Sequence, residues 1–175
     1  MSRIPMALLL AIWLPLSAAA SAPSDALVAL LDGIEQSPTA EQLTALGEGV
    51  EAALMAVASD GEMPRSRRGR ALTSLAFFPT TEVRSFLDGQ LADGDNNGLL
   101  RRKAAYALGA GFGAKAVAVL AKALDDDDVQ LRIATATALG LVEADEAREA
   151  LTTRRGKETE DAVKTALDSA LGVVE

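Results

Sequence analysis

The chain has 175 residues, 49% of them hydrophobic, and a formal net charge of −8 at pH 7. This length is sufficient for one domain with a core of its own. The sequence contains no Cys and no His, which excludes disulfides, thiol chemistry, imidazole catalysis and the usual zinc sites. A net acidic chain also repels nucleic acid and anionic lipid, so we expect neither as a partner.

The first twenty residues, MSRIPMALLLAIWLPLSAAA, have the pattern of a secretory signal peptide. They contain an early Arg3, an apolar run from Met6 to Leu16, and then small residues that suit cleavage near Ala20. A membrane-spanning helix needs about 20 apolar residues, and this run is shorter. The pattern predicts a signal peptide over 1–20 and export to the periplasm or extracellular space, without stable membrane insertion after cleavage. An uncleaved membrane anchor is the alternative.

The segment that follows is predicted to cap the N-terminal end of the fold with atypical helices, over residues 21–61. One helix is expected over about 25–35. Thr39 and Gln42 have the spacing of a capping box, which predicts the start of a second helix that runs toward Ala58.

A repeat of 31–33 residues begins near residue 62 and holds through four units. Each unit has an acid, a basic residue six positions later, and a Leu seven positions after that. The acids are Glu62, Asp95, Asp126 and Glu158, the bases are Arg68, Arg101, Arg132 and Lys164, and the leucines are Leu75, Leu108, Leu139 and Leu171.

Each unit is predicted to form two helices joined by a short turn. Apolar or small residues recur at helical spacing over 100–108, and Gly109 suits the left-handed position after a helix end. A second apolar stretch at 114–124 has its large side chains on one face. Neither helix is long or apolar enough to stand alone, so neighbouring units must stack around a shared core. The sequence predicts an all-α stack that ends with one helix over 160–172.

These units resemble the HEAT repeat, in particular the short HEAT-like form of phycobilisome lyase proteins. The acid, the Arg and the closing Ala-Leu-Gly carry the resemblance at 95–109 and 126–140, with weaker copies at 62–76 and 158–172. The resemblance implies a right-handed α-solenoid of HEAT-like units over 62–175. It also implies a ladder of bonds between turns of the stack, formed by four acid–base pairs: Glu62 with Arg68, Asp95 with Arg101, Asp126 with Arg132, and Glu158 with Lys164.

The segment PRSRRGR, residues 64–70, is predicted to belong to a partner-binding strip. Positive charge near a helix N-terminus opposes the helix dipole, so fold stability does not call for it. An acidic protein segment or an anionic polymer would be attracted to such a strip. The alternative is that the strip meets solvent or the acidic residues 21–64, which include no Lys or Arg. The predicted partner-binding residues are Arg65, Arg67, Arg70, Arg102 and Lys103.

Phe77, Phe78 and Phe86 are a further candidate, as a hydrophobic anchor for a partner. Two adjacent Phe residues cannot face the same way from one helix. Residues 77–79 are therefore expected to close the turn between two helices, with at least one ring in the core.

Two acidic turns are candidate cation sites. The sequence DGDNNG at 93–98 matches the first half of a calcium loop, but Ala104 stands where the loop needs a bidentate Glu. The sequence DDDD at 125–128 lies one repeat later, and a recurring acidic turn is typical of helix N-capping, here by Asp127 or Asp128. The sequence predicts no metal site and no cofactor.

No arrangement of Ser, Asp, Glu or Lys pairs a nucleophile with a base at a recognisable spacing, so no catalytic residue is predicted. Stacked helices offer extended surfaces to other proteins. The expected function is that of an exported, non-catalytic scaffold or adaptor for protein–protein interaction in the cell envelope. The alternatives are a calcium-dependent structural protein of the envelope and an accessory subunit related to phycobilin lyase.

Overall fold

The computed structural model describes residues 24–33, 37–94 and 97–173. Within them it contains helices and no strands, and short 3-10 turns lie at 75–77 and 113–116. The helices are α1 (Asp25–Asp32), α2 (Ala40–Thr44), α3 (Val50–Ser59), α4 (Arg65–Ser74), α5 (Thr81–Ala92), α6 (Gly98–Phe112), α7 (Val117–Ala123), α8 (Val129–Gly140), α9 (Asp145–Lys157) and α10 (Asp161–Leu171). The predicted signal peptide and the ladder residue Asp95 lie outside the described residues.

The helices from α3 onward stack as pairs in two layers. Helix α3 packs on α4, α5 on α6, α7 on α8, and α9 on α10. The inner layer consists of α4, α6, α8 and α10, and the outer layer of α3, α5, α7 and α9. Neighbours in the inner layer lie much more closely together than neighbours in the outer layer, so the stack bends toward the inner layer. The predicted all-helical solenoid is confirmed.

The helix pairs are offset from the units drawn on the sequence. Helix α10 ends the described stack, and its partner is α9, the helix before it. Helix α3 lies within the segment predicted to be an N-terminal cap, yet it packs on α4. The boundary predicted at residue 61 therefore falls between the two helices of one pair.

The recurring leucines supply the core between the layers. Leu75, Leu108 and Leu139 are fully buried, and each such side chain contributes roughly 2 kcal/mol by leaving water. The second helices bring apolar residues of the same period, with Leu87 and Leu120 fully buried. The predicted helical spacing of apolar side chains is thus confirmed in both layers.

Gly109 does not end a helix, and its predicted left-handed conformation is wrong. Helix α6 continues to Phe112, and Gly109 lies inside it with a negative φ. A Cβ added at Gly109 would lie 2.9 Å from the carbonyl carbon of Ala138 on α8. The glycine therefore permits two inner helices to approach closely. Gly172 does take the left-handed position after its helix, with φ 73°.

The N-terminal helices begin as predicted but end earlier. The Thr39 N–H donates to Gln42 Oε1 (2.9 Å) and the Gln42 N–H donates to Thr39 Oγ1 (3.3 Å), so the capping box is confirmed. The helix expected to run toward Ala58 stops after five residues. Gly47 and Gly49 have φ values of 91° and 83°, a conformation that glycine adopts readily and that interrupts a helix.

One helical stretch of the described residues, 98–123, is long and apolar enough to cross a membrane by length and composition alone. It consists of α6, a 3-10 turn and α7. Half of its most apolar window is buried inside the fold. Its composition is accounted for by the core that it forms with α5 and α8.

Candidate partner-binding surface

Two arginines of the repeat bind the acid of the following unit. Arg101 donates to both carboxylate oxygens of Asp126, at 3.3 and 2.5 Å, and its Nε donates to the carbonyl of Leu91 at 2.9 Å. Arg132 donates to both oxygens of Glu158, at 3.0 and 3.3 Å, and reaches only the backbone carbonyl of Asp126, the acid with which the resemblance paired it. Each rung joins residues 25 or 26 positions apart. These contacts connect neighbouring units along the stack.

Glu158 is the most enclosed carboxylate of the described residues that form ion pairs, with 1% of its side chain exposed. Its oxygens accept the backbone N–H groups of Thr159 and Glu160, both at 3.0 Å, and also the guanidinium of Arg154. Burial raises the pKa of Glu158, but the hydrogen bonds from Glu160, Arg154, Arg132 and Thr159 outweigh it and lower the pKa to about 2. This carboxylate therefore stays charged in the folded protein.

The remaining positions of the predicted ladder make local contacts. Lys164 Nζ lies 3.1 Å from Asp161 Oδ1 on its own helix, and not against Glu158 as the ladder implied. Arg68 donates to the carbonyl of Ala58 at 2.9 Å. Glu62 is exposed. The structure thus describes two inter-unit rungs, at Arg101 and Arg132.

Two residues of the predicted partner-binding strip hold α1 against α4. Arg67 donates to both oxygens of Asp32, at 2.9 and 2.7 Å. Nη1 of Arg70 donates to the carbonyl of Leu31 at 2.9 Å and to the carbonyl of Gly33. Both arginines therefore have structural contacts that the sequence analysis did not assign to them. The geometry corresponds to the alternative in which the strip meets the acidic N-terminal residues.

The other three residues of that strip are less engaged. Arg102 Nη1 lies 3.9 Å from Asp128 Oδ2, too long for a strong hydrogen bond. Arg65 is exposed and Lys103 is half-buried. Neither of these two side chains forms an ion pair with any residue in the described ranges. Arg67 and the Nη1 group of Arg70 thus dock α1, and the other cationic groups of the strip remain available to a ligand.

A groove of about 310 Å³ opens on the inner layer between α4, α6 and the residues Ser37 and Pro38 that precede α2. We call it the inner-layer groove. Its largest side chains are Arg70, Phe77, Lys103 and Tyr106. Phe77 is 48% exposed and Tyr106 is 45% exposed, although large rings usually lie in a core or an interface. No Asp or Glu of the described residues lines this groove, so two cations and two rings define its chemistry.

Equivalent positions in the other units show that the repeat does not require this chemistry. Position 106 corresponds to Thr73, Thr137 and Ser169, so Tyr106 is the one aromatic residue in a series of hydroxyl side chains. At the position of Lys103 the other units have Arg70, Ala134 and Ala166. The position equivalent to Lys103 is therefore cationic only in the first two units. At these two positions the inner layer is basic in the first two units and small and uncharged in the last two.

Tyr106 was not among the predicted site residues. Its place in the Thr and Ser series is a signal that the aligned units already contained. Phe77 was predicted to close a turn with its neighbours, and the 3-10 turn at 75–77 does so while Phe78 packs against the core. The predicted turn is confirmed, and the Phe78 ring is partly buried against the core rather than enclosed in it. The exposure of the Phe77 ring beside Tyr106 depends on packing between units, and the sequence alone does not show it.

The acidic turns serve helix ends and ion pairs. The Asp128 carboxylate accepts the backbone N–H of Gln130 at 2.8 Å, so the predicted cap of α8 is confirmed. Asp125 lies 2.7 Å from Arg154 and 2.8 Å from Lys157. Hydrogen bonds from Lys157 and Arg154 lower the pKa of Asp125. Among the described residues, no three or more acidic side chains form a group that could hold a metal ion.

A curved stack of helix pairs joined by Arg–acid rungs is the architecture of an α-helical repeat protein. Residues 89–172 match the HEAT repeat family. This part of the chain therefore consists of HEAT repeats, and the resemblance recognised in the sequence is confirmed. No curated protein sequence matches the chain.

Two solved structures are similar to this fold. One is human deoxyhypusine hydroxylase in complex with glycerol, with 26% identity and a TM-score of 0.58 over 70% of this chain and 42% of that chain. The other is the complex of CpcE and CpcF of phycocyanin lyase from a Nostoc species, with 18% identity and a TM-score of 0.62. The match to the lyase structure covers 83% of this chain and 97% of the lyase chain. This chain thus spans less than half of the hydroxylase chain, and its likeness to the lyase concerns the fold.

Proposed function

We propose that this protein is a non-catalytic scaffold that binds another protein on its inner layer. The observation that carries this proposal is the exposure of Phe77 and Tyr106 beside the cation Lys103 in one groove. Aromatic side chains and Arg are enriched where proteins bind one another, and Arg70 also lines this groove. The chain has only six aromatic residues in 175, so two exposed rings in one groove are a notable concentration.

The similar structures agree with a role in assembly. The phycocyanin lyase structure is itself a complex of two named chains, and HEAT repeats present extended surfaces suited to partners. The sequence resemblance implied an alternative function, that of an accessory subunit related to phycobilin lyase. Only the similarity of fold supports this alternative. The groove, in contrast, is a feature of this chain's own residues, and it favours binding over catalysis.

We further propose that the scaffold acts after export, in the cell envelope. This proposal is supported by the apolar run and small residues of the first twenty positions. Cell fractionation followed by mass spectrometry of the purified chain tests it. We expect an envelope or extracellular chain that begins near Ser21, and a full-length chain confined to the cytoplasm would contradict it.

Site-specific photo-cross-linking tests the scaffold role in cells. The cross-linker would replace Tyr106 or Thr137, both exposed on inner helices, or Lys122, exposed on the outer helix α7. We expect the same protein adduct from positions 106 and 137, and none from position 122. An adduct from position 122 alone, or no adduct from either inner position, would overturn the proposal.

A further inference from the structure

The inner-layer groove has the chemistry of a peptide site. We propose that it binds a short acidic segment of the partner protein that carries an aromatic side chain. This inference rests on the proposed function and names the chemistry of the partner. The ring of the segment packs between Phe77 and Tyr106, and its carboxylates bind Arg70 and Lys103.

Arg70 is held in place for such a role. Both of its described bonds to α1 use Nη1, which donates to the carbonyls of Leu31 and Gly33. A guanidinium has five N–H donors in a fixed planar fork. The Nε and Nη2 donors therefore remain available on a side chain that is already immobilised and lines the groove. A preorganised cation loses less entropy when it binds a carboxylate.

Lys103 supplies the second cation from the opposite wall. A Cβ added at Gly69 of α4 would lie 3.4 Å from Lys103 Cγ, so the stem of the lysine lies along the adjacent helix. Its ammonium group forms no ion pair within the described ranges. Lys side chains commonly bury their stem and leave the charge in water. This geometry directs an unpaired positive charge to the groove.

Charge complementarity and the two rings together select the occupant. An acidic peptide matches two cations of the groove that form no ion pair in the described ranges, although Asp32, which is paired with Arg67, lies close enough to interact with Arg70. A purely polar anion would leave Phe77 and Tyr106 in water, where they are 48% and 45% exposed. Single-stranded nucleic acid also combines rings with negative charge, but proteins bind it along a long basic groove with successive stacking rings, and this groove offers only two cations and two rings. An acidic segment with one aromatic residue is the better match.

Fluorescence anisotropy with labelled peptides tests this proposal on the purified chain. The test peptide is Gly-Glu-Asp-Phe-Asp-Glu-Gly, the second peptide has Lys at the four acidic positions, and the third has Ala for Phe. A labelled oligothymidine is the nucleic-acid comparison. We expect saturable binding of the first peptide, weaker binding of the third by about tenfold, equal to about 1.4 kcal/mol, and no saturation with the other two.

The variants use the residues that other units have at the same positions. Lys103→Ala copies Ala134 and Tyr106→Thr copies Thr137, so both replacements are compatible with the repeat. We expect the pair of changes to weaken peptide binding by at least about tenfold while Tm and the helical circular dichroism stay the same. The matched control is Lys122→Ala with Leu141→Ala, which removes an exposed cation and an exposed apolar side chain outside the groove.

Four results would overturn the inference. They are no saturable binding of the first peptide, equal binding of the Lys peptide, tighter binding of oligothymidine, and equal losses in the control variant. These results would leave the proposed scaffold function untouched, because that function has its own test. A cross-linker at position 137 detects a protein bound to the inner layer whether or not the groove binds the peptide. Adducts from 137 without peptide binding would retain the scaffold and reject the acidic segment.

Discussion

Arg132 and Glu158 lie 26 residues apart and form a two-point contact at 3.0 and 3.3 Å. Their side chains are 9% and 1% exposed, so this ion pair is shielded from water. Nη1 of Arg132 also donates to the carbonyls of Asp126 and Asp127. One arginine therefore binds the turn before its own helix and the first residues of the next unit.

Replacing Arg132 by Ala should destabilise the fold by about 3 kcal/mol, because Glu158 would lose one of the cations that compensate its burial. Urea unfolding followed by circular dichroism measures the change. Lys164→Ala is the matched control, since Lys164 occupies the same repeat position but binds only the exposed Asp161, and we expect a change within about 0.5 kcal/mol. Equal effects of the two substitutions would contradict the assignment of the rung.

Stability should fall in acid because of the same carboxylate. The pKa of Glu158 is about 2 in the folded chain against an ordinary value of 4.5. The unfolded chain therefore takes up the proton first, so the stabilisation is complete above pH 4.5 and is lost as the pH falls toward 2. Urea titrations across this range should show a shallower decline for Glu158→Gln than for the wild-type chain. Parallel curves would argue against this role of Glu158.

Gly109→Ala should destabilise the fold by about 1–3 kcal/mol, as overpacking does. The new methyl group would lie 2.9 Å from the Ala138 carbonyl carbon, so α6 and α8 would have to separate. Gly156→Ala is the matched control, because it lies inside α9 with open space around the added Cβ. Alanine is the better helix former by about 1 kcal/mol, so this control should raise Tm. A neutral Gly109→Ala would show that close approach is not required.

Thr135→Val should stabilise the fold by about 1 kcal/mol. The Thr135 hydroxyl is fully buried and has no hydrogen-bond partner in the described structure, so its removal ends a desolvation cost without leaving a cavity. The control is Thr137→Val, two residues along the same helix, where the hydroxyl is exposed and donates to the Ile133 carbonyl at 3.0 Å. Thermal unfolding of both variants should show a higher Tm only for Thr135→Val.

The sequence predicted the features that a repeat determines. The leucine columns, the Thr39 capping box and the helical layers follow from local spacing, and the structure confirms them. The role of Gly109 could not be predicted from the sequence. A glycine that ends a helix and a glycine that allows another helix to pack closely are the same residue in the sequence. The break after α2 was missed because Gly47 and Gly49 act through backbone conformation.

The candidate site was predicted in part. Its cations Arg70 and Lys103 were recognised as basic residues that repeat stability does not explain. The docking of α1 through Arg67 and Arg70 depends on contacts between residues 35 to 39 positions apart, which charge patterning does not specify. Tyr106 stands out in the aligned units as the aromatic member of a Thr and Ser series, but its exposure depends on how α4 and α8 pack against α6, which the sequence does not show.

The rungs have a consequence for how such an array can grow. Arg101 and Asp126 both lie within residues 101–131, so a segment copied between these limits includes a complete rung. Tandem duplication of this segment would leave the Arg132–Glu158 contact with both of its partners. The number of residues between an arginine and the acid that it binds therefore defines a repeat unit. Whole units of this kind can be inserted or removed without breaking the neighbouring Arg–acid contact. A stack of this design can change its length in evolution without designing a new interface at each step.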